Sequence, residues 1–184
     1  MSSILLHTCC SPCACYPIEE LINQGYKVTL FYYNPNIQPA SEYQTRLDEL
    51  KKYLETNKKI NMIEGLYEPK KWFVLIKGLE NEPERGKRCD VCYQMRLTKT
   101  AEMAKEKKFN YFGSTLSISP HKKAAKISEL GKLLAKKYGV GFFDKDWKKN
   151  EGFKQACRIS KEENFYRQNY CGCIYSKTNK NGKT

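Results

Sequence analysis

Nine cysteines are the residues of this 184-residue chain with the most chemistry to offer, and eight of them fall in three tight groups. Cys9, Cys10, Cys13 and Cys15 form the first group, Cys89 and Cys92 the second, Cys171 and Cys173 the third. Cysteines that merely fill a core would be scattered. Adjacent cysteines do not easily bond to each other, and their side chains diverge. Cys9 and Cys10 therefore suit neighbouring iron atoms of a cluster, or two adjacent metals, better than one tetrahedral zinc. Cys89-Asp90-Val91-Cys92 follows Lys87 and Arg88 at an expected helix start, where the helix N-terminus favours thiolates. Alone, such a pair fits half a zinc ribbon, a redox dithiol or two cluster ligands. Cys9, Cys10, Cys89 and Cys92 together would complete a [4Fe–4S] site, with Cys13 near enough to be a further ligand or to hold a second metal. Structural zinc on the same thiols, or plain buried thiols, are the alternatives.

Cys171-Gly172-Cys173 is a different device. A disulfide across one residue closes a small strained ring that is easily reduced, and the intervening glycine relaxes the backbone. A redox-active pair is the first reading and additional metal ligation the second. Cys157 stands alone and reads as structural. His7, beside the first group, would either orient a thiolate or donate a proton, or else pack against a backbone carbonyl. His121, among lysines, suits a solvated or phosphate-contacting place. Tyr166-Arg167-Gln168-Asn169-Tyr170 offers stacking and hydrogen bonding to an exposed RNA base, against the plainer reading of tyrosine-rich core packing.

The elements that must position these groups follow from apolar patterning. Strands are expected at Ser3–His7, Val28–Tyr33, Ile60–Ile63, Tyr111–Leu116 and Val140–Phe143. A cysteine-rich turn should run from Thr8 to Cys15, followed by a helix with Pro17 in its first turn and an end near Gly25. Ser41-Glu42-Tyr43-Gln44 reads as a capping box ahead of Leu47, Leu50 and Leu54. Further helices are expected around Trp72–Leu79, from Asp90 to Lys107, and over Ile127–Leu134 with a stop at Gly139. Alternating strands and helices predict an α/β fold, with a mostly parallel, Rossmann-like sheet covered by helices on both faces. Ligands of such sheets bind beyond the carboxyl ends of the strands. Those ends carry Cys9 and Cys10, Asn34 and Asn36, Ser114 and Thr115, and Asp144.

Length and composition suit one domain over residues 1–178, with a polar, frayed tail at 179–184. No apolar run approaches the roughly 20 residues of a membrane span, and the start lacks a signal peptide, so a cytoplasmic protein with no membrane partner is expected. The formal net charge is +13, and it is unevenly spread: residues 1–98 hold 13 basic and 12 acidic side chains, residues 99–184 hold 20 and 8. Such a surface faces a polyanion, with nucleic acid the usual one, although a generally lysine-rich surface gives the same count.

The motifs taken together resemble the cobalamin-independent epoxyqueuosine reductases, the QueH family. The resemblance is carried by His7-Thr8-Cys9-Cys10-Ser11-Pro12-Cys13, Tyr33-Asn34-Pro35-Asn36-Ile37 with Glu42-Tyr43, and Arg88-Cys89-x-x-Cys92-Tyr93. Arg96-Leu97 with Thr100-Ala101, Ser114-Thr115-Leu116 with Ser119-Pro120, and Tyr166-Arg167-Gln168-x-Tyr170-Cys171-Gly172-Cys173 continue it, so that it runs from about residue 4 to 176. It implies an iron–sulfur oxidoreductase that removes the epoxide oxygen of epoxyqueuosine in a tRNA anticodon, the last step to queuosine. It implies [4Fe–4S] ligation by Cys9, Cys10, Cys89 and Cys92, an additional iron at Cys13, and a redox-active pair at Cys171 and Cys173. It also implies an external electron donor. Tyr166 and Arg167 are then the expected contacts to the extruded base, and His7 or a nearby tyrosine the proton donor. The sheet should be similar to that of PP-loop ATPases, but the cysteine turn replaces their phosphate loop, which speaks against ATP hydrolysis. A zinc-bearing RNA-binding module and a cluster-free thiol–disulfide oxidoreductase are the competing readings.

Overall fold

The computed structural model describes residues 1–57 and 60–178, and the expected tail at 179–184 lies outside them. Its strands are β1 (Ser3–Thr8), β2 (Lys27–Tyr32), β3 (Asn61–Glu64), β4 (Tyr111–Ser114) and β5 (Gly141–Phe142). The helices are α1 (Ser11–Asn23), α2 (Ala40–Thr56), α3 (Pro69–Leu75), α4 (Lys87–Glu106), α5 (Ala124–Tyr138), α6 (Gly152–Glu162) and α7 (Ile174–Thr178). All strand pairs are parallel, in the order β3-β2-β1-β4-β5. This is the expected α/β sheet.

Both faces of β1 are buried, which is why Ile4-Leu5-Leu6 reads as an unbroken apolar run instead of alternating with polar residues. Ile4 and Leu6 face a core with Ile18, Leu21, Leu47 and Ile159 of α1, α2 and α6. Leu5 faces the other layer, where Trp72, Tyr93, Leu97, Ile127 and Leu134 of α3, α4 and α5 pack on Phe31 and Phe112. In α4, Tyr93, Arg96, Leu97, Thr100, Ala101 and Ala104 are buried at helical spacing. Two members of that stripe are polar, and one of them is an arginine.

Several boundaries differ from expectation. The cysteine segment is a turn only as far as Cys10, because α1 begins at Ser11 and takes in Cys13 and Cys15. Pro12, not Pro17, fills the first helical turn, where a missing N–H costs nothing. Pro17 lies inside α1 and withholds a hydrogen bond from the Cys13 carbonyl. The capping box does not form: Pro39 is the cap, its carbonyl accepts from Glu42 and Tyr43, and Ser41 is already helical. Glu42 instead turns to Arg46, and Gln44 to Asp48. The fourth strand ends at Ser114, and Thr115–Ile118 coil into a 3-10 turn because the Ser114 hydroxyl accepts from the Leu116 N–H. Helices α6 and α7 were not foreseen, whereas Gly139 closes α5 at φ +67° as expected.

Leu6 pairs with Leu30 on one side and Gly113 on the other and is fully buried. Leu6→Ala is expected to cost about 2–5 kcal/mol, seen as a lower urea midpoint with an unchanged slope.

Candidate active site

The tips of β1, β2 and β4 end level, since His7 pairs with Ser114 and Thr8 with Tyr32. Beyond them the chain turns from β1 into α1 through an extended Cys10 at the helix cap, with Cys13 in the first turn. This turn converges three thiols: the sulfurs of Cys9, Cys10 and Cys13 all lie within 4.8 Å of one another, and those of Cys9 and Cys10 are 3.7 Å apart. The α1 N-terminus adds partial positive charge. Of these three, Cys9 is the thiol that most readily loses its proton: hydrogen bonds from Cys10 and Cys13 outweigh burial, and the guanidiniums of Arg96 and Arg46 assist. Gln168 Nε2 donates to Cys10 Sγ at 2.9 Å.

Arg96 is buried, and among the described residues no carboxylate is one of its hydrogen-bond partners. Its Nε donates to His7 Nε2 (3.2 Å), one terminal nitrogen donates to Asn34 Oδ1 (2.7 Å), and the other lies 3.9 Å from Cys92 Sγ. Asn34 in turn donates to the Thr8 carbonyl at 2.9 Å. This web ties the tips of β1 and β2 to α4. His7 directs its Nδ1 toward Ser114 Oγ at 3.1 Å and does not border the cavity described below. Burial, and after it the Arg96 guanidinium, lowers its pKa to about 3, so the ring is neutral. Its Nε2 also lies 3.2 Å from the Tyr33 carbonyl, the backbone contact that was the plainer expectation.

Cys89 and Cys92 occupy the first turns of α4, and the Arg85 N–H donates to Cys89 Sγ at 3.3 Å. They do not join the close triad; Arg96, between Cys92 and His7, links the two groups. Arg88, despite preceding Cys89, turns away and organises the loop before α4 by donating to the carbonyls of Leu79, Glu80 and Glu82.

Cys171 and Cys173 are free thiols. The segment carrying them is gripped by Arg46 of α2, whose terminal nitrogens donate to the carbonyls of Tyr170 (3.2 Å) and Cys171 (3.3 Å) while its Nε pairs with Glu42 at 2.7 Å. Gly172 is required between the two cysteines. Its φ is +102°, and a Cβ would stand 2.8 Å from Ile37 Cγ1. Cys171 is held well below the usual thiol range, first by a hydrogen bond from Cys173 and, against the effect of burial, by the Lys122 ammonium and Ser176. Burial favours a neutral Lys122, but the Cys171 thiolate raises its pKa and keeps it protonated.

A cavity of about 340 Å³ opens among these groups. Cys9, Cys13 and Cys171 border it, as do Arg46, Arg96, Lys122 and Gln168, and Glu84 is the one carboxylate on its wall among the described residues. Arg167 lines the cavity as well, 3.7 Å from the sulfur of Cys157, which also borders it. Cys15 is buried in the core, with the Pro12 and Ala156 carbonyls nearby. Tyr166 lies outside the cavity wall: its N–H donates to Glu49 and its hydroxyl to Glu42. Sequence reasoning missed Arg46 and Lys122. Arg46 had a signal, since it sits beside Tyr43, Leu47 and Leu50 on the stripe of α2 that must be buried.

The donor set fits a thiolate-bound metal centre. The sulfurs are soft ligands, partly buried, and of the cations around them (Arg46, Arg96 and Lys122) only Arg46 has a carboxylate partner among the described residues, so a centre of net negative charge would be compensated.

Comparison with known proteins agrees. The family model described as "Epoxyqueuosine reductase QueH" matches residues 4–179. The chain is similar to the epoxyqueuosine reductase QueH of Acinetobacter baylyi, with 41% identity over 94% of this chain and 79% of that one. It is 42% identical to the protein so named from Histophilus somni, over 95% of this chain and 72% of the other. A third, from Thermotoga maritima, is 37% identical over 96% and 91% of the two chains.

Gly172→Ala is expected to lower stability by roughly 1–3 kcal/mol, from the disfavoured φ and the contact with Ile37. Faster alkylation of Cys171 and Cys173 in the variant would show that the same change loosens the pair.

Proposed function

The chain belongs to the epoxyqueuosine reductase QueH family, and from that premise we propose that it removes the epoxide oxygen of epoxyqueuosine in a tRNA anticodon to leave the alkene of queuosine. The observation that carries the reading is the convergence of Cys9, Cys10 and Cys13, with Cys171 on the same cavity wall and Arg96 buried beside them, at the carboxyl end of a parallel sheet. Cys9, Cys10, Cys89 and Cys92 would hold a [4Fe–4S] cluster, and Cys13 an additional iron. When bound, such a centre supplies single electrons and a Lewis acid, with no need of cobalamin.

The chain's own residues do the rest. Converting an epoxide to an alkene and water consumes two electrons and two protons, and oxidation of the Cys171–Cys173 dithiol to a disulfide releases that number of each. An external electron donor then restores the dithiol. Lys122 offers positive charge next to Cys171, where a thiolate forms and where oxygen departs with developing negative charge. Arg46 fixes the Cys171 backbone, and Gln168 orients Cys10. His7 holds Arg96 in place. The basic second half grips the RNA phosphates. Among the described residues no helix is long and apolar enough to cross a membrane, and we place the enzyme with its tRNA in the cytoplasm.

Anaerobic purification is expected to give a brown protein with a broad absorption near about 400 nm and matching iron and sulfide. Cys9→Ser should remove most of that absorption together with activity on epoxyqueuosine tRNA. A colourless protein holding stoichiometric zinc, unchanged by cluster reconstitution, would instead support the RNA-binding module. Cys171→Ser separates the two roles of the third cysteine group. Turnover should fall by about 10³-fold or more with iron and sulfide unchanged, whereas loss of iron would make Cys171 a ligand.

A further inference from the structure

The unforeseen helix α6 supplies part of the cavity wall, presenting Phe153, Ala156, Cys157 and Ser160 at the i, i+3, i+4 and i+7 spacing of one helical face. Ala156 and Ser160 are buried, but Phe153 is 41% exposed. The helix start is pressed against the core: a Cβ on Gly152 would come within 2.0 Å of the Trp147 carbonyl oxygen and 2.7 Å of the Tyr16 ring. The backbone at Gly152 thus has little room to move away, and Phe153 follows it as a half-exposed aromatic ring at the wall. Arg167 stands on the same wall with no ion-pair partner among the described residues. Tyr166, expected to contact the base, has its hydroxyl committed to Glu42.

An exposed aromatic ring and an unpaired guanidinium on one wall, with a single carboxylate nearby, match the chemistry of an unstacked nucleobase attached to a phosphate backbone. We propose that Phe153 is the stacking platform for a nucleobase of the bound tRNA at the cavity, with Arg167 contacting the adjoining phosphate. The proposal rests on the tRNA reductase reading and adds the residue on which the nucleic acid is seated. A ring stacks on any base through its π-face, so the platform tolerates different neighbours of the modified base, whereas the guanidinium senses charge alone.

The test uses metal-loaded protein and an anticodon stem–loop carrying 2-aminopurine beside the modified position. Phe153→Ala should weaken binding about 5- to 150-fold, the range of one lost base–aromatic stack. It should abolish quenching of 2-aminopurine on binding and leave the salt dependence of Kd unchanged. Phe153→Tyr should restore both binding and quenching, and Phe153→Leu, which keeps apolar bulk without a π-face, should not. Arg167→Met should reduce the slope of log Kd against log salt by about one phosphate contact and retain the quenching. Wild-type-like binding and quenching in Phe153→Ala, or full rescue by Phe153→Leu, would overturn the platform and leave the reductase standing. Wild-type protein that binds no stem–loop would overturn both.

Discussion

A guanidinium buried without a carboxylate must find its negative charge elsewhere, and Arg96 finds it in sulfur. Placing such a group in the interior is costly unless hydrogen bonds and opposite charge surround it. Here His7, Asn34 and the nearby thiols provide them, and each comes from a different element. The cation therefore dictates where the tips of β1 and β2 and the start of α4 stand relative to one another. The thiols gain as well, because the positive charge favours their ionised, metal-binding form. Charge balance and ligand geometry thus have a common cause.

The sheet supplies the frame for this arrangement. Parallel strands ending level leave their carboxyl ends as a crevice between helices. The chain crosses that crevice at Cys9 and Cys10 and borders it again at residues 118–122, along α6 and from Arg167 to Cys171. Arg46 reaches from α2 to hold the returning segment by its carbonyls, so its grip on Cys171 is through main-chain atoms. That anchoring is compatible with a pair of sulfurs that change oxidation state, since nothing in it requires the sulfur itself.

Much of this was legible in the sequence. The five strands, the parallel sheet and the location of the cysteines at strand ends follow from patterning that the folded chain obeys. What escaped notice follows a physical rule. Helix α1 was begun too late because two prolines compete for one first-turn position, and Pro12 wins by lying next to the strand end. Helix α6 was missed because its buried stripe, Ala156, Ile159 and Ser160, is short and partly polar, while its most apolar residue faces the cavity. Arg46 and Lys122 look like ordinary surface charges until tertiary packing encloses them. Local patterns report which face is buried. They do not report which charged side chains are carried inside with it.

The grip of Arg46 on Tyr170 and Cys171 joins residues 124 and 125 positions apart in sequence. The β1–β4 pairing that frames the first cysteine group spans nearly as much chain, 107 positions from His7 to Ser114. Closure cost grows only slowly with loop length, so the two cysteine groups depend on long-range closures of similar cost. Neither group can meet the other through a local stretch of chain, and the crevice exists only when both closures hold.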